Sequence, residues 1–200
     1  MTGEMLRFCG SHGTSRSKAN QILKVGFVKA EGRHGTGVYF WSKSDPDTFN
    51  LGTQKALAWA ELCKRQGRYR SDTDDTPRCI TATISVDKSR FLDVRSDPVC
   101  RMLEQFVHRC ADVFKGSNTS SKVRSGSQIL DAFVAELESL NKQKFEVLHD
   151  HTELPSAYKQ TLKRRLGYND DQMRVAKLDQ AGCYVVRCLG CLSDLKEDIV

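Results

Sequence analysis

The sequence predicts an α+β fold built on a mainly antiparallel sheet. Three observations carry that expectation. Strand-like and helix-like segments interleave without the regular strand, helix, strand alternation of a parallel sheet. Arg78 to Val86 places Ile80, Ala82, Ile84 and Val86 on one face, the period-two pattern of a half-buried strand. Thr53 to Arg65 gathers Ala56, Leu57, Trp59, Ala60 and Cys63 on one stripe, the pattern of an amphipathic helix. A chain of 200 residues is expected to form a single domain over 1–200, because at this length folding buries about 70% of the unfolded surface.

The remaining elements follow in chain order. Ser17 to Val25 carries Ala19, Ile22 and Leu23 near helical spacing, and Gly26 stops it. Gly32, Gly35 and Gly37 make a glycine-rich loop leading into the strand Val38-Tyr39-Phe40-Trp41, followed by a turn around Asp45-Pro46-Asp47. Gly67 ends the Thr53 helix, and Arg68 to Pro77 is charged and turn-like. Phe91 to Val94 reads as a short strand, and Pro98 to Phe114 as a helix with Val99, Met102, Leu103, Phe106, Val107 and Cys110 inward. Residues 115–127, rich in Gly, Ser, Thr and Asn, read as a mobile loop. Ile129 to Leu140 and Tyr158 to Leu166 read as helices, and Gln172 to Leu178 and Cys183 to Leu189 as strands.

Composition excludes several classes. With 39% apolar and 28% charged residues the chain is neither disordered nor collagen-like. No apolar run approaches the about 18 residues of a membrane span, and Met1 to Gly10 lacks the pattern of a secretory signal, so a soluble, cytoplasmic protein without a membrane role is expected. The 8 cysteines read as free thiols of a reducing compartment, mostly buried as small hydrophobes. The net charge of +6 concentrates at Lys64, Arg65, Arg68 and Arg70, at Lys115, Lys122 and Arg124, and at Lys159, Lys163, Arg164 and Arg165. Such runs are often only solvated faces, yet three in one small domain suit a phosphate-rich acceptor.

The stretch Cys9 to Ala60 carries the chemistry. His12-Gly13-Thr14 interrupts a strand-like segment; Gly26-Phe27 follows a short helix; then come the glycine loop, Gly37-Val38-Tyr39-Phe40, and a helix bearing Trp59. Glycines allow close backbone approach, His12 offers a hydrogen-bond donor, and Tyr39 and Trp59 offer aromatic faces, so the set describes a slot for a polar aromatic group.

Over residues 6 to 62 this order resembles the NAD-binding half of the ADP-ribosyltransferase superfamily, in the branch of diphtheria-type toxins and poly(ADP-ribose) polymerases with His, Tyr and Glu on three strands. The resemblance implies a split antiparallel β-sandwich of two small sheets surrounded by helices. It implies NAD as substrate, bound by His12, Gly13, Thr14, Gly37, Tyr39 and Trp59: His12 on an adenosine ribose hydroxyl, the Gly13 backbone on the nicotinamide carboxamide, Tyr39 and Trp59 stacked on the ring. The third position, at the start of a late strand, falls on Gln172, which makes Gln172, Tyr39 and His12 the catalytic candidates. An amide there holds a ribose hydroxyl but brings no charge to oppose an oxocarbenium ion, so mono-ADP-ribosylation is expected rather than chain elongation. Asp170, Asp171, Glu136 and Glu138 are the alternative carboxylates.

The resulting expectation is a toxin-like mono-ADP-ribosyltransferase that modifies a nucleic acid, slightly favoured, or a protein. Arg65, Arg68, Lys163 and Arg164 are its acceptor-binding candidates, and an antitoxin or inhibitory partner is implied. The rivals are an inactive NAD- or ADP-ribose-binding module, and an RNA-binding domain with a small zinc site. Cys188-Leu189-Gly190-Cys191 has half a zinc-site spacing, with His149 and His151 as further ligands, but one such pair reads as a strand-end turn and no metal is assigned. His34 is read as solvent-facing.

Overall fold

The computed structural model describes residues 3–43, 49–115 and 122–198. Its elements are β1 (Met5–Ser15), α1 (Arg16–Val25), β2 (Ala30–Gly32), β3 (Gly35–Lys43), α2 (Leu51–Arg65), β4 (Pro77–Asp87), β5 (Phe91–Asp93), α3 (Asp97–Lys115), α4 (Lys122–Asn141), β6 (Val147–Glu153), α5 (Ser156–Leu166), α6 (Asp170–Val175), β7 (Gln180–Val186) and β8 (Leu192–Asp198). The α+β expectation holds. The strands form one eight-stranded sheet in the order β5-β6-β7-β3-β1-β4-β8, with β2 paired to β3 off this path. Every pair is antiparallel except β5 with β6.

Strand alternation sends residues to two different cores. On one face Val38, Phe40, Ile80, Ile84, Val147, Tyr184 and Val186 pack with Phe27 and with Ala19 and Ile22 of α1. The other face has two covers. Leu92, Leu148 and Val185 lie under Phe106 of α3 and Phe133, Val134 and Leu137 of α4, while Trp41 and Cys79 lie under Ala56 of α2 and Tyr158 of α5. A seam on this second face separates the covers, and Cys183 and Asp150, paired across β7 and β6, occupy it.

Local chemistry explains the helix ends. Ser15 caps α1 by accepting from the Lys18 amide at 3.3 Å. Gly26, at φ 84°, ends that helix with its amide on the Ile22 carbonyl. Asn169 and Gln172 form a reciprocal capping box on α6.

Several expectations change. Gln172 to Val175 is the helix α6 and not a strand; the late strand starts earlier, at Gln180, and ends at Val186. Three strands went unread, β2, β6 and β8. Of the loop expected over 115–127, residue 115 closes α3, residues 122–127 already belong to α4, and 116–121 lie outside the described residues, as does the Asp45-Pro46-Asp47 turn. Among the described residues no helix is long and apolar enough to cross a membrane.

Candidate functional site

The two edges of β1 differ. One pairs with β4 from Met5↔Asp87 to Ser15↔Pro77. The other pairs with β3 over Cys9↔Lys43, Gly10↔Ser42 and Ser11↔Trp41, and there the ladder stops. His12, the next residue, meets β3 through its side chain: Nδ1–H donates to the Tyr39 carbonyl at 2.8 Å in place of the next backbone pair. A fork therefore opens at His12-Gly13, at the residues the sequence singled out.

The His12 ring sits edge-on to Phe27, with centroids 5.1 Å apart, and tilted against Phe40 at 5.8 Å. Burial pushes its pKa below the ordinary imidazole value, and the bond to the Tyr39 carbonyl offsets this only in part. His12 is thus neutral near pH 7. With Nδ1 protonated, Nε2 presents a lone pair that accepts from a hydroxyl.

Gly13 is buried and needs to be glycine for a packing reason. An added Cβ would lie 1.8 Å from the Ala56 carbonyl oxygen, so α2 rests directly on β1 at the fork. Gly37 is explained likewise: its Cβ would fall 2.6 Å from Val185 Cγ1 and 2.9 Å from the Val186 carbonyl oxygen. The neighbouring strand β7, not a ligand, accounts for that glycine. Thr14 is also enclosed, at 4% exposure, with its side chain hydrogen-bonded to Tyr69 in the turn after α2.

Tyr39 joins His12 through its backbone and not its ring. The two side chains leave on opposite faces of the sheet, His12 toward Phe27 and Phe40 and Tyr39 toward the cluster under α3 and α4. The Tyr39 hydroxyl donates to the Gly35 carbonyl and accepts from the His34 amide at 3.1 Å. Its ring lies across Gly32, where a Cβ would come within 2.5 Å of Cζ. Burial raises the phenol's pKa well above its ordinary value. The glycine-rich hairpin thus exists to let a tyrosine lie against it, and Gly35, at φ 90°, makes the turn.

Trp59 is not brought to Tyr39. It is 37% exposed on the outer side of α2, with the Arg68 guanidinium 5.6 Å from its ring centroid. Gln172 is exposed on α6, and its side-chain oxygen accepts from the Asn169 amide at 2.9 Å. With Tyr168, Asn169, Asp171, Val175 and Ala176 it lines an open surface hollow of about 390 Å³, to which neither β1 nor β3 contributes. Glu136 pairs with Arg109, and the buried Glu138 pairs with Arg187 at 2.7 Å and Lys144 at 2.8 Å. Among the acceptor candidates, Arg65, Arg68 and Arg164 are exposed, whereas Lys163 is held by Asp170 at 2.9 Å. The α2 and α5 ends that carry them belong to helices that share one apolar cluster, against which Leu57 and Leu162 both pack.

Sequence reasoning missed a polar knot in the seam beside Tyr39. Asp150 is 7% exposed. Its Oδ2 accepts from His34 Nδ1 at 2.8 Å, and its Oδ1 accepts from Arg95 Nε and from the His151 amide, both at 2.6 Å. Burial alone would raise the carboxyl's pKa, but the His34 bond and charge, the His151 amide and Arg95 outweigh it and hold it below the ordinary value. His34 is therefore not solvent-facing: its side chain is 12% exposed, and Nε2 is buried without a hydrogen-bond partner. Beside it, burial and the Asp150 charge push the Cys183 thiol up to about 12. Asp131 of α4 secures the hairpin by accepting from the Thr36 amide at 3.0 Å and hydroxyl at 2.8 Å.

No protein-family model, curated protein or solved structure matches this chain.

Two signals in the sequence point to what was missed. Asn169 followed by Gln172 is a capping-box spacing that announces α6. His149-Asp150-His151 is polar enough to hide a strand, although Val147-Leu148 just before it is apolar and buried.

Proposed function

We propose that the chain is an NAD-dependent mono-ADP-ribosyltransferase that binds the dinucleotide at the β1–β3 fork. One observation carries the reading: a neutral His12, oriented by the Tyr39 carbonyl, stands where the β1–β3 ladder stops. In this reading His12 Nε2 accepts from a ribose hydroxyl and the free backbone edge at Gly13 takes the nicotinamide carboxamide. The described strands lie in one sheet, joined at the fork by three residue pairs, and the two-sheet sandwich is part of this reading alone. Departure of nicotinamide leaves positive charge on the ribose, and the ADP-ribose passes to an acceptor nucleophile, with catalysis coming mainly from orientation. The exposed Arg65, Arg68 and Arg164 favour a phosphate-bearing acceptor, so nucleic acid is the acceptor class in this reading.

A second reading has its own support. The carboxylates whose charge acts on Tyr39, Asp131 and Asp150, are tied by Thr36, His34 and Arg95, and β7 carries no acidic residue from Gln180 to Val186. Without a free carboxylate the same fork makes an NAD- or ADP-ribose-binding module.

One experiment separates them. The protein is incubated with NAD labelled in the nicotinamide or in the adenylate, together with cell lysate, and the products are digested with nuclease or protease. Nicotinamide release with nuclease-sensitive adenylate label is the expected result. Bound but intact NAD establishes the module, and failure to bind NAD removes both.

A further inference from the structure

We propose that Glu146, Cys188 and Cys191 form a binding site for a thiophilic divalent cation, Zn²⁺ being the physiological choice. The proposal is independent of the NAD reading. One carboxylate oxygen of Glu146 and the two cysteine sulfurs lie within 4.8 Å of one another. Cys191 Sγ is 3.5 Å from Glu146 Oε2. A tetrahedral ion with arms of about 2.3 Å to sulfur and about 2.0 Å to oxygen sets those two atoms about 3.5 Å apart. The ion therefore replaces the thiol proton with little movement of either ligand.

The backbone holds the ligands in place without help from an ion. The Arg187 and Cys188 amides donate to the Glu146 carbonyl at 2.8 and 3.2 Å, and the Glu146 amide donates to the Arg90 carbonyl at 2.9 Å. Cys188 and Cys191 flank a single 3-10 turn, Leu189–Cys191, closed by the Cys191 amide on the Cys188 carbonyl at 3.1 Å. That tight turn aims both sulfurs to one side, as Cys-x-x-Cys spacing requires. Arg90 Nη1 donates to Glu146 Oε1 at 2.6 Å, an outer partner that orients the ligating carboxylate. Charge also balances. Two thiolates and one carboxylate exceed a divalent ion by one negative charge, and Arg90 supplies the matching positive one.

Softness and donor number select the ion. Two sulfurs and one oxygen suit Zn²⁺ and not Mg²⁺ or Ca²⁺, which take oxygen ligands throughout. Cys191 is buried while Cys188 and Glu146 are partly exposed, so a solvent water completes the fourth position. Binding releases the two thiol protons to solvent with no change in oxidation state. The ion cross-links the turn between β7 and β8 to the start of β6. The histidines that the sequence offered as ligands are engaged elsewhere, His149 with Asp93 at 3.2 Å and His151 against the His149 ring.

The test is a Co²⁺ titration of the reduced full-length chain, followed by displacement with Zn²⁺. One equivalent of Co²⁺ giving thiolate-to-cobalt charge transfer in the near ultraviolet, abolished by one equivalent of Zn²⁺, is the expected result. Glu146→Gln weakens binding 10-fold or more, and Cys188→Ser with Cys191→Ser removes the band, whereas Cys100→Ser leaves it. Absence of thiolate charge transfer in the wild type, or its survival in the double variant, overturns the proposal. Should the double variant fail to fold, alkylation mapping of the wild type decides: Zn²⁺ must protect Cys188 and Cys191, and equal labelling with and without Zn²⁺ overturns the site.

Discussion

The fork at His12 and the knot at Asp150 flank the same strand, β3, yet they are built in opposite ways. At the fork one side chain replaces a backbone pair, and among the described residues no strand pairs with the β3-facing edge of β1 beyond Ser11. At the knot both oxygens of Asp150 are used, by a hairpin residue, by a residue beyond β5 and by its own strand. The difference teaches where chemistry is available. Groups that bind a ligand must be left with unspent bonding capacity, whereas the carboxylate that fixes this seam has both its oxygens engaged.

The comparison breaks most severely at Asp150. Asp150→Ala removes the acceptor of the His34, Arg95 and His151 bonds and is expected to lower the unfolding free energy by about 2–3 kcal/mol in urea titration, the upper range for leaving buried hydrogen-bonding groups without a partner. Unaltered stability would show that the knot is ornamental. His12→Ala is expected to reduce nicotinamide release about 100-fold, with a far smaller loss of stability, in keeping with removal of one oriented hydrogen-bonding group from a reacting site. A stability loss as large as that of Asp150→Ala would erase the distinction between the two regions. Tyr39→Phe keeps the ring and removes the tie to Gly35 and His34, at an expected cost of about 1–2 kcal/mol.

Acid sharpens the contrast. The folded pKa of His12 lies below its ordinary 6.5, so the unfolded chain takes up that proton first and the stability due to neutral His12 declines as pH drops below 6.5 toward the folded value. The folded pKa of Asp150 lies below its ordinary 3.8, so the contribution of the knot is intact above that pH and is lost only as pH falls further, through the folded value. Thermal melts across this range should therefore show an early loss that His12→Ala removes and a late one that Asp150→Ala removes. Gln172→Ala should do least, changing stability by about 0.5 kcal/mol and leaving nicotinamide release as in the wild type.

Legibility followed the range of the interactions. The β3 strand, α2 and the alternating β4 are written in local periodicity, and all were readable. His12, Gly13 and Tyr39 were readable as a set because they lie close together in the chain. Asp150 and His34 were not, since their bond joins residues 116 positions apart and His34 sits in what looks like an ordinary polar loop. Gln172 was misplaced because four residues with one apolar Met and one Val fit a short strand as well as a short helix, and the capping box decides between them. The glycines were detected, but their reason was not. Gly13, Gly32 and Gly37 admit a helix, a tyrosine and a strand of this same chain.

The place of β7 has a consequence for the order of assembly. This strand lies between β6 and β3 in the sheet although α2, β4, β5, α3, α4, β6, α5 and α6 separate it from β3 in the chain. During synthesis the segments that hold the fork can meet early, but the edge of β3 that faces β7 stays bare until residues 180–186 have emerged. Such late closure through distant pairings slows folding and prolongs exposure of an apolar strand edge. A ribosome-bound chain lacking β7 should therefore need protection along β3 until residues 180–186 are available to pair with it.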